Sequence, residues 1–120
     1  MKYDDNNIFA KILRGEIPCD KIYEDDFVLS FYDISPQKKI HVLVIPKGKY
    51  INLDDFTVNA SSEEMVGLLK GINKVAKKLG ISVDTGKGYR ALANISEHGG
   101  QEVPHLHFHL FGGEKLGKMI

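Results

Sequence analysis

The chain contains one cysteine, Cys19, and no tryptophan. A single thiol excludes an intramolecular disulfide and any metal centre built on several cysteines. That cysteine usage fits a reducing compartment. No apolar run approaches the ~18 residues that span a bilayer. The opening residues, Met1 to Asn7, lack the apolar segment of a secretory signal. A soluble cytoplasmic protein with no membrane partner is expected. Excess charge of either sign is also missing: Lys and Arg number 16, Asp and Glu 16, and the formal net charge is +0. Such a balance gives no global pull toward nucleic acid, and no nucleic-acid partner is expected. No repeat, low-complexity stretch or linker divides the 120 residues, so residues 1–120 read as one domain. A chain of this length buries roughly two-thirds of its unfolded surface, enough for a core without staples.

Periodicity organises what is there. Asn7 to Arg14 reads as a short helix, with Ile8, Phe9, Ile12 and Leu13 on one face, Asn6 or Asn7 as cap and Gly15 as stop. Pro18 blocks its continuation. Lys21 to Tyr23 and Val28 to Asp33 read as strands parted by an acidic turn, and Ser35-Pro36 breaks the second. His41 to Ile45 is almost all apolar and β-branched, the pattern of a buried central strand. Ser61-Ser62-Glu63-Glu64 is a capping box. Behind it Met65, Leu68, Leu69, Ile72, Val75, Ala76 and Leu79 make an amphipathic stripe that stops at Gly80. Tyr89 to Asn94 and His105 to Phe111 read as the last two strands, with a loop at Ser96 to Gly100 between them. Two helices and about five strands, joined mostly by short links, predict an α+β fold: an antiparallel sheet with helices on one side. Strict βαβ alternation is missing, which argues against a Rossmann-type sheet.

The chemistry concentrates in the last strand. Side chains alternate faces along a strand, so His105, His107 and His109 share one face, and Leu106, Phe108 and Leu110 share the other. Neighbouring imidazoles on that face stand roughly 6.6 Å apart at the Cα level. Histidine fills a strand face poorly, so three in strict alternation point to function. Two readings stay open on the residues alone. The three imidazoles and His41 can hold a metal such as zinc. Alternatively, one imidazole attacks phosphorus while the others position it and bind phosphate oxygens. Gly99-Gly100-Gln101 lies just upstream, where backbone N–H groups can approach an anion. No carboxylate cluster accompanies the histidines, although Glu102 is near. Both features favour the phosphoryl reading.

His105-Leu106-His107-Phe108-His109-Leu110-Phe111 follows the pattern His-φ-His-φ-His-φ-φ, with φ apolar. Asn7-Ile8-Phe9-Ala10-Lys11-Ile12, Phe31-Tyr32-Asp33-Ile34-Ser35-Pro36, His41-Val42-Leu43-Val44-Ile45-Pro46-Lys47, Asn94 and Gly99-Gly100-Gln101 precede it in order. Over nearly the whole chain this set resembles the histidine triad (HIT) family, in its Hint branch of purine nucleoside phosphoramidase-like proteins. The resemblance implies a HIT-like fold whose sheet continues across a homodimer. It implies a hydrolase that cleaves the α-phosphorus of a purine nucleoside monophosphate from its leaving group, with no cofactor and no metal. By similarity His107 is the nucleophile and forms a nucleotidyl-histidine intermediate. His109 contacts the phosphate and assists the leaving group, while His105 and His41 support His107 through hydrogen bonds. Asp33 binds the ribose hydroxyls. Ile8, Phe9, Ile12, Phe31 and Ile34 form the base slot, and Asn94, Gly100 and Gln101 hold phosphate oxygens. Glu102 departs from the pattern, standing where several animal relatives place a serine; three alternatives stay open, that it points away from the phosphate, binds the leaving amine or is a further contact. Gly67 and Gly71, four apart on the long helix, offer a close approach for a second copy. The short tail, Glu114 to Ile120, puts the leaving-group preference in question. Two other readings remain: a dinucleoside polyphosphate hydrolase or nucleotidyltransferase, and a non-catalytic nucleotide-sensing or zinc-binding module.

Overall fold

The computed structural model describes residues 2–119. Met1 and Ile120, the ends of the expected domain and tail, lie outside the described residues. Among the described residues the elements run α1 (Ile8–Leu13), β1 (Lys21–Glu24), β2 (Val28–Tyr32), β3 (Ile40–Pro46), α2 (Leu53–Asn59), α3 (Ser62–Lys78), β4 (Arg90–Leu92), α4 (Ser96–Gly99) and β5 (Phe108–Gly112). The strands form one sheet in the order β1-β2-β3-β5-β4, antiparallel at each junction. The last strand in sequence thus slots between β3 and β4. The expected antiparallel α+β sheet is present.

The sheet is covered on both faces, not on one as expected. The reason lies in β3, where Val42, Leu43, Val44 and Ile45 are all buried. A strand apolar on both sides needs cover on both sides. Val42 and Val44, with Val28, Leu106 and Leu110, pack against Leu68, Ile72 and Val75 of α3 and Phe56 of α2. On the opposite face Leu43 and Ile45 pack with Leu29, Phe31 and Phe9 of α1. Full burial of a Leu or Val is worth about 1.5–3 kcal/mol over exposure, so these two clusters carry most of the apolar drive.

Helix α3 begins where its capping box lies: Ser61 accepts from the Glu64 N–H, and the Glu64 carboxylate accepts from the Ser61 N–H. Two helices were not expected. Helix α2 is capped by Asn52, whose side chain accepts from the Asp55 N–H. It buries only Phe56, so it has no stripe to reveal it. Helix α4 spans four residues and buries none.

The glycines of α3 serve the chain's own core, in place of the expected approach by a second copy. A Cβ at Gly67 would stand 2.4 Å from Phe27, and one at Gly71 would stand 2.7 Å from Val28. Their missing side chains let α3 settle onto the start of β2. Ala at position 71 would gain about 1 kcal/mol of helix propensity. It would also force a methyl into Val28, which is fully buried and has no room to retreat. Overpacking of that kind costs about 1–3 kcal/mol. Gly71→Ala is therefore expected to lower stability in urea titrations; a gain would contradict the packing argument.

Candidate active site

The triad segment becomes a ladder strand only at Phe108, three residues later than expected. Before that point it is held by single bonds: the Leu106 N–H donates to the Tyr50 carbonyl at 2.8 Å and the His105 N–H to the Val103 carbonyl at 2.9 Å. The expected alternation survives. Leu106 and Leu110 are buried in the α3-side core and Phe108 packs against it. The histidines face the other way: His105 and His107 are buried and His109 is half-buried. Strand register brings in His41. Leu43 stands opposite His109, and His41 opposite Phe111. His41 and His109 are thus diagonal neighbours on one face, within reach of each other's rings. Their nitrogens, His41 Nε2 and His109 Nδ1, lie 2.8 Å apart. The Phe111 ring lies parallel to that of His109, tilted by 5°.

Fixed donors and acceptors around the rings determine where each proton sits, because a carbonyl can only accept and a backbone N–H can only donate. His107 Nδ1 is 2.7 Å from the carbonyl oxygen of His105 and must carry its proton there. The neutral ring then has a bare lone pair on Nε2. His41 Nδ1 accepts from the Gln37 N–H at 3.1 Å, so its proton is on Nε2 and points at His109 Nδ1. That leaves His109 with its own proton on Nε2. The carboxylate of Asp33 stands 3.4 Å from His41 Nε2 and shares that proton. His105 Nε2 is 2.8 Å from the Pro46 carbonyl and donates to it, while its Nδ1 accepts from the Tyr3 hydroxyl at 2.5 Å. Both nitrogens of His105 are thus engaged within the protein. It reaches His107 through its backbone carbonyl.

Burial disfavours the charged form of all four rings. It is the leading cause that pushes His105 down to about 4. It does the same for His109, with His107 and His41 adding to the shift to about 4. His107 is lowered by burial, against the opposing bond to the His105 carbonyl and the charges of Asp33 and Glu102. His41 is lowered by burial against the pull of Asp33. A bare imidazole nitrogen on His107 stands beside an N–H on His109, with ring centres 5.2 Å apart; a lone pair so placed can attack, and such an N–H can bind an oxyanion.

The other expected residues divide. Phe9 is edge-on to His107 at 4.9 Å and to Phe31 at 5.6 Å, and both phenyl rings are core. Ile12 packs against that cluster. Ile8 and Ile34 lie on the surface, Ile34 at 94 % exposure. The five apolar residues therefore split between core and rim. Asn94 is half-buried next to Gly99, where a Cβ would stand 3.5 Å from the Asn94 carbonyl carbon. Gly100 takes a left-handed φ of 73°, and its N–H donates to the Glu97 carbonyl. The Gln101 N–H donates to the Ser96 carbonyl. Its side chain donates to Ile51 and Val103 carbonyls and accepts from the Ser96 N–H. These two N–H groups therefore close the α4 turn, where an open anion cradle was expected. Gln101 staples the loop, and it holds Ser96 at a φ of 60°, strained for a non-glycine. Glu102 is exposed.

Sequence reasoning missed Tyr3, Gln37 and the ring of Phe111. Phe111 had a signal as the last apolar residue of the pattern; Tyr3 acts across 102 residues of chain, and Gln37, four residues from His41, acts through a backbone N–H that no side-chain pattern announces. Among the described residues, Asp33, His41 and His109 bring donor atoms within 4.8 Å of one another. A metal there would have to break the His41–His109 bond, and the set does not include His105 or His107. A shallow hollow of about 690 Å³ bounded by Lys21, Tyr23, Glu24, Asp25, Lys47 and Lys78 includes no histidine. Convergent imidazoles outweigh it as the place for chemistry.

A single antiparallel sheet with a histidine-lined face covered by a short N-terminal helix defines a small class of α+β proteins. The HIT domain profile matches residues 14–116. The chain belongs to the HIT domain family. It is 51% identical over 118 residues to a HIT-like protein of Azospirillum brasilense, covering 98% of this chain and 94% of that one. It is 44% identical over 117 residues to the purine nucleoside phosphoramidase of Escherichia coli K12, covering 97% and 94%. Among solved structures, a HIT family hydrolase from Clostridium thermocellum superposes with a TM-score of 0.86 at 38% identity, covering 98% of both chains. No helix among the described residues is long and apolar enough to cross a membrane.

The neutral imidazoles set the direction of acid stability. Unfolded, each takes up a proton near its ordinary pKa of 6.5, whereas folded His105 and His109 resist down to about 4. Below pH 6.5 the unfolded chain therefore binds more protons, and stability falls as pH drops toward 4. The urea midpoint is expected to hold steady above about pH 7 and to decline between about pH 6.5 and 5, before carboxylates titrate. A midpoint unchanged over that interval would contradict neutral burial.

Proposed function

We propose that the protein is a hydrolase of purine nucleoside 5′-phosphoramidates that works through a nucleotidyl intermediate on His107. The observation that carries this reading is the pair of opposite nitrogens, bare Nε2 on His107 and protonated Nε2 on His109. The kinship to the Escherichia coli phosphoramidase supports the substrate class. The lone pair of His107 Nε2 attacks the α-phosphorus, and a P–N bond forms as the bond to the leaving nitrogen breaks. The amine departs after taking up one proton from solvent. The new imidazolium keeps its Nδ1–H on the His105 carbonyl, which steadies the positive charge. His109 Nε2–H bonds to the phosphate oxygens, where charge builds. Water then attacks phosphorus, the bond to His107 breaks, one proton returns to solvent, and the nucleoside monophosphate leaves. Asp33, on the same rim, takes the ribose hydroxyls. Exposed Ile8 and Ile34 give the base two apolar surfaces, with Phe9, Ile12 and Phe31 as backing. Asn94, Gly100 and Gln101 shape the phosphate side through the loop. The reaction uses no cofactor.

The same reading includes a cytoplasmic homodimer formed from a single domain. Val66 and Leu69 are exposed on α3, and β4 ends the sheet with an open edge. A second copy covers both and removes that edge. Light scattering is expected to give twice the 13.4 kDa chain mass; a particle of one chain's mass would contradict the dimer.

Rapid-quench mass spectrometry with an adenosine phosphoramidate tests the reaction. The expected result is a transient adduct of adenylyl mass that maps to His107. In His107→Ala the adduct disappears and kcat/KM falls by about a thousand-fold or more. Turnover retained in that variant would overturn the assignment.

A further inference from the structure

The chain ahead of α1 forms a strap across the buried side of the triad. Its clasps come from three directions. The Arg14 guanidinium, just beyond α1, donates to the Asp5 carbonyl at 2.8 Å. Lys49, beyond β3, pairs with the Asp5 carboxylate at 2.8 Å. Asn7 donates to the Asp4 carbonyl while its Oδ1 caps α1. The strap delivers Tyr3 to His105, with the hydroxyl 2.5 Å from Nδ1 and the ring edge-on at 5.6 Å. His105 is completely buried, and the Pro46 carbonyl takes its other nitrogen.

We propose that Tyr3 is a positioning residue for His107, acting through His105. The hydroxyl needs a lone pair to donate to, so it holds His105 Nδ1 bare. His105 then keeps its proton on Nε2, bonded to the end of β3. A ring anchored on both sides cannot rotate, and the residue's own carbonyl is fixed with it. That carbonyl is the acceptor that keeps the His107 proton on Nδ1 and the lone pair on Nε2. Without the hydroxyl, a buried nitrogen loses its partner, and the ring is free to turn in search of another. The carbonyl shifts with it. A displacement of tenths of an ångström at an attacking atom is costly in rate, whereas the substrate-binding rim is untouched. This inference rests on the nucleophilic role of His107.

Tyr3→Phe tests it, because the variant keeps the packed ring and removes only the oxygen. Two readouts are needed. The first is ring ¹⁵N NMR of the resting protein, in which the His105 Nδ1 resonance is expected to move toward that of an unbonded nitrogen. The second is steady-state kinetics with an adenosine phosphoramidate, in which kcat is expected to fall about tenfold with KM within about twofold. Lys49→Ala is the control: it unfastens the exposed clasp at Asp5, leaves the hydroxyl in place, and should leave both readouts near wild type. An unmoved His105 resonance in Tyr3→Phe overturns the proposal, as does a moved resonance with unchanged kcat or a fall confined to KM. If the wild-type protein fails to turn over the phosphoramidate, the hydrolase reading fails, and the NMR readout still decides whether Tyr3 sets the state of His105 and His107.

Discussion

The hydrogen bond from His107 Nδ1 to the carbonyl of His105 is the contact on which the rest of the site depends. It decides which of two chemically similar nitrogens faces outward with a lone pair. Everything nearby either maintains that bond or makes its consequence useful. Burial removes the competing imidazolium form. The Pro46 carbonyl and Tyr3 hydroxyl hold His105 on both sides. A second relay, from the Gln37 N–H through His41 to His109, ends in an outward N–H of opposite character. Two tautomers of the same side chain, each set by a backbone group, place a lone pair and a proton donor side by side, the pair that the proposed reaction at phosphorus uses.

The fold makes such a row of polar rings tolerable. A buried imidazole nitrogen without a partner costs about 1–3 kcal/mol. Among the described residues no buried side-chain nitrogen or oxygen lacks a partner. The cost is avoided because strand alternation sends Leu106, Phe108 and Leu110 into the opposite core while His105 meets an acceptor from β3 and a donor from the strap. Inserting β5 beside β3 matters for the same reason: it places His41 diagonal to His109, a contact that sequence separation of 68 residues does not suggest.

Local signals were legible where a single segment carried them. The capping box and apolar stripe predicted α3 nearly to the residue, and the five strands followed from alternation and β-branched runs. The four histidines and Asp33, to which a period of two and an ordered family pattern both point, lie next to one another in the structure. What escaped notice depends on contacts between distant segments. Helix α2 has one buried residue and so no periodicity. Gly67 and Gly71 looked like an outward groove until Phe27 and Val28 were found against them. The Gly100-Gln101 N–H groups were expected to be free, yet the α4 turn uses them. Tyr3 lies 102 residues from its partner and sits in a polar stretch with no pattern. Cover on both faces of the sheet was implicit in the doubly apolar β3, where four consecutive residues are buried.

The account therefore turns on proton placement, and a direct observation of it is the most demanding test. Long-range ¹H–¹⁵N correlation spectra of the ligand-free protein near pH 7 distinguish the two neutral tautomers of each ring and the imidazolium. The arrangement predicts four neutral rings, with His107 protonated at Nδ1 and His41, His105 and His109 protonated at Nε2. A His107 ring protonated at Nε2, or one charged at that pH, would remove the free lone pair and contradict the account at its centre.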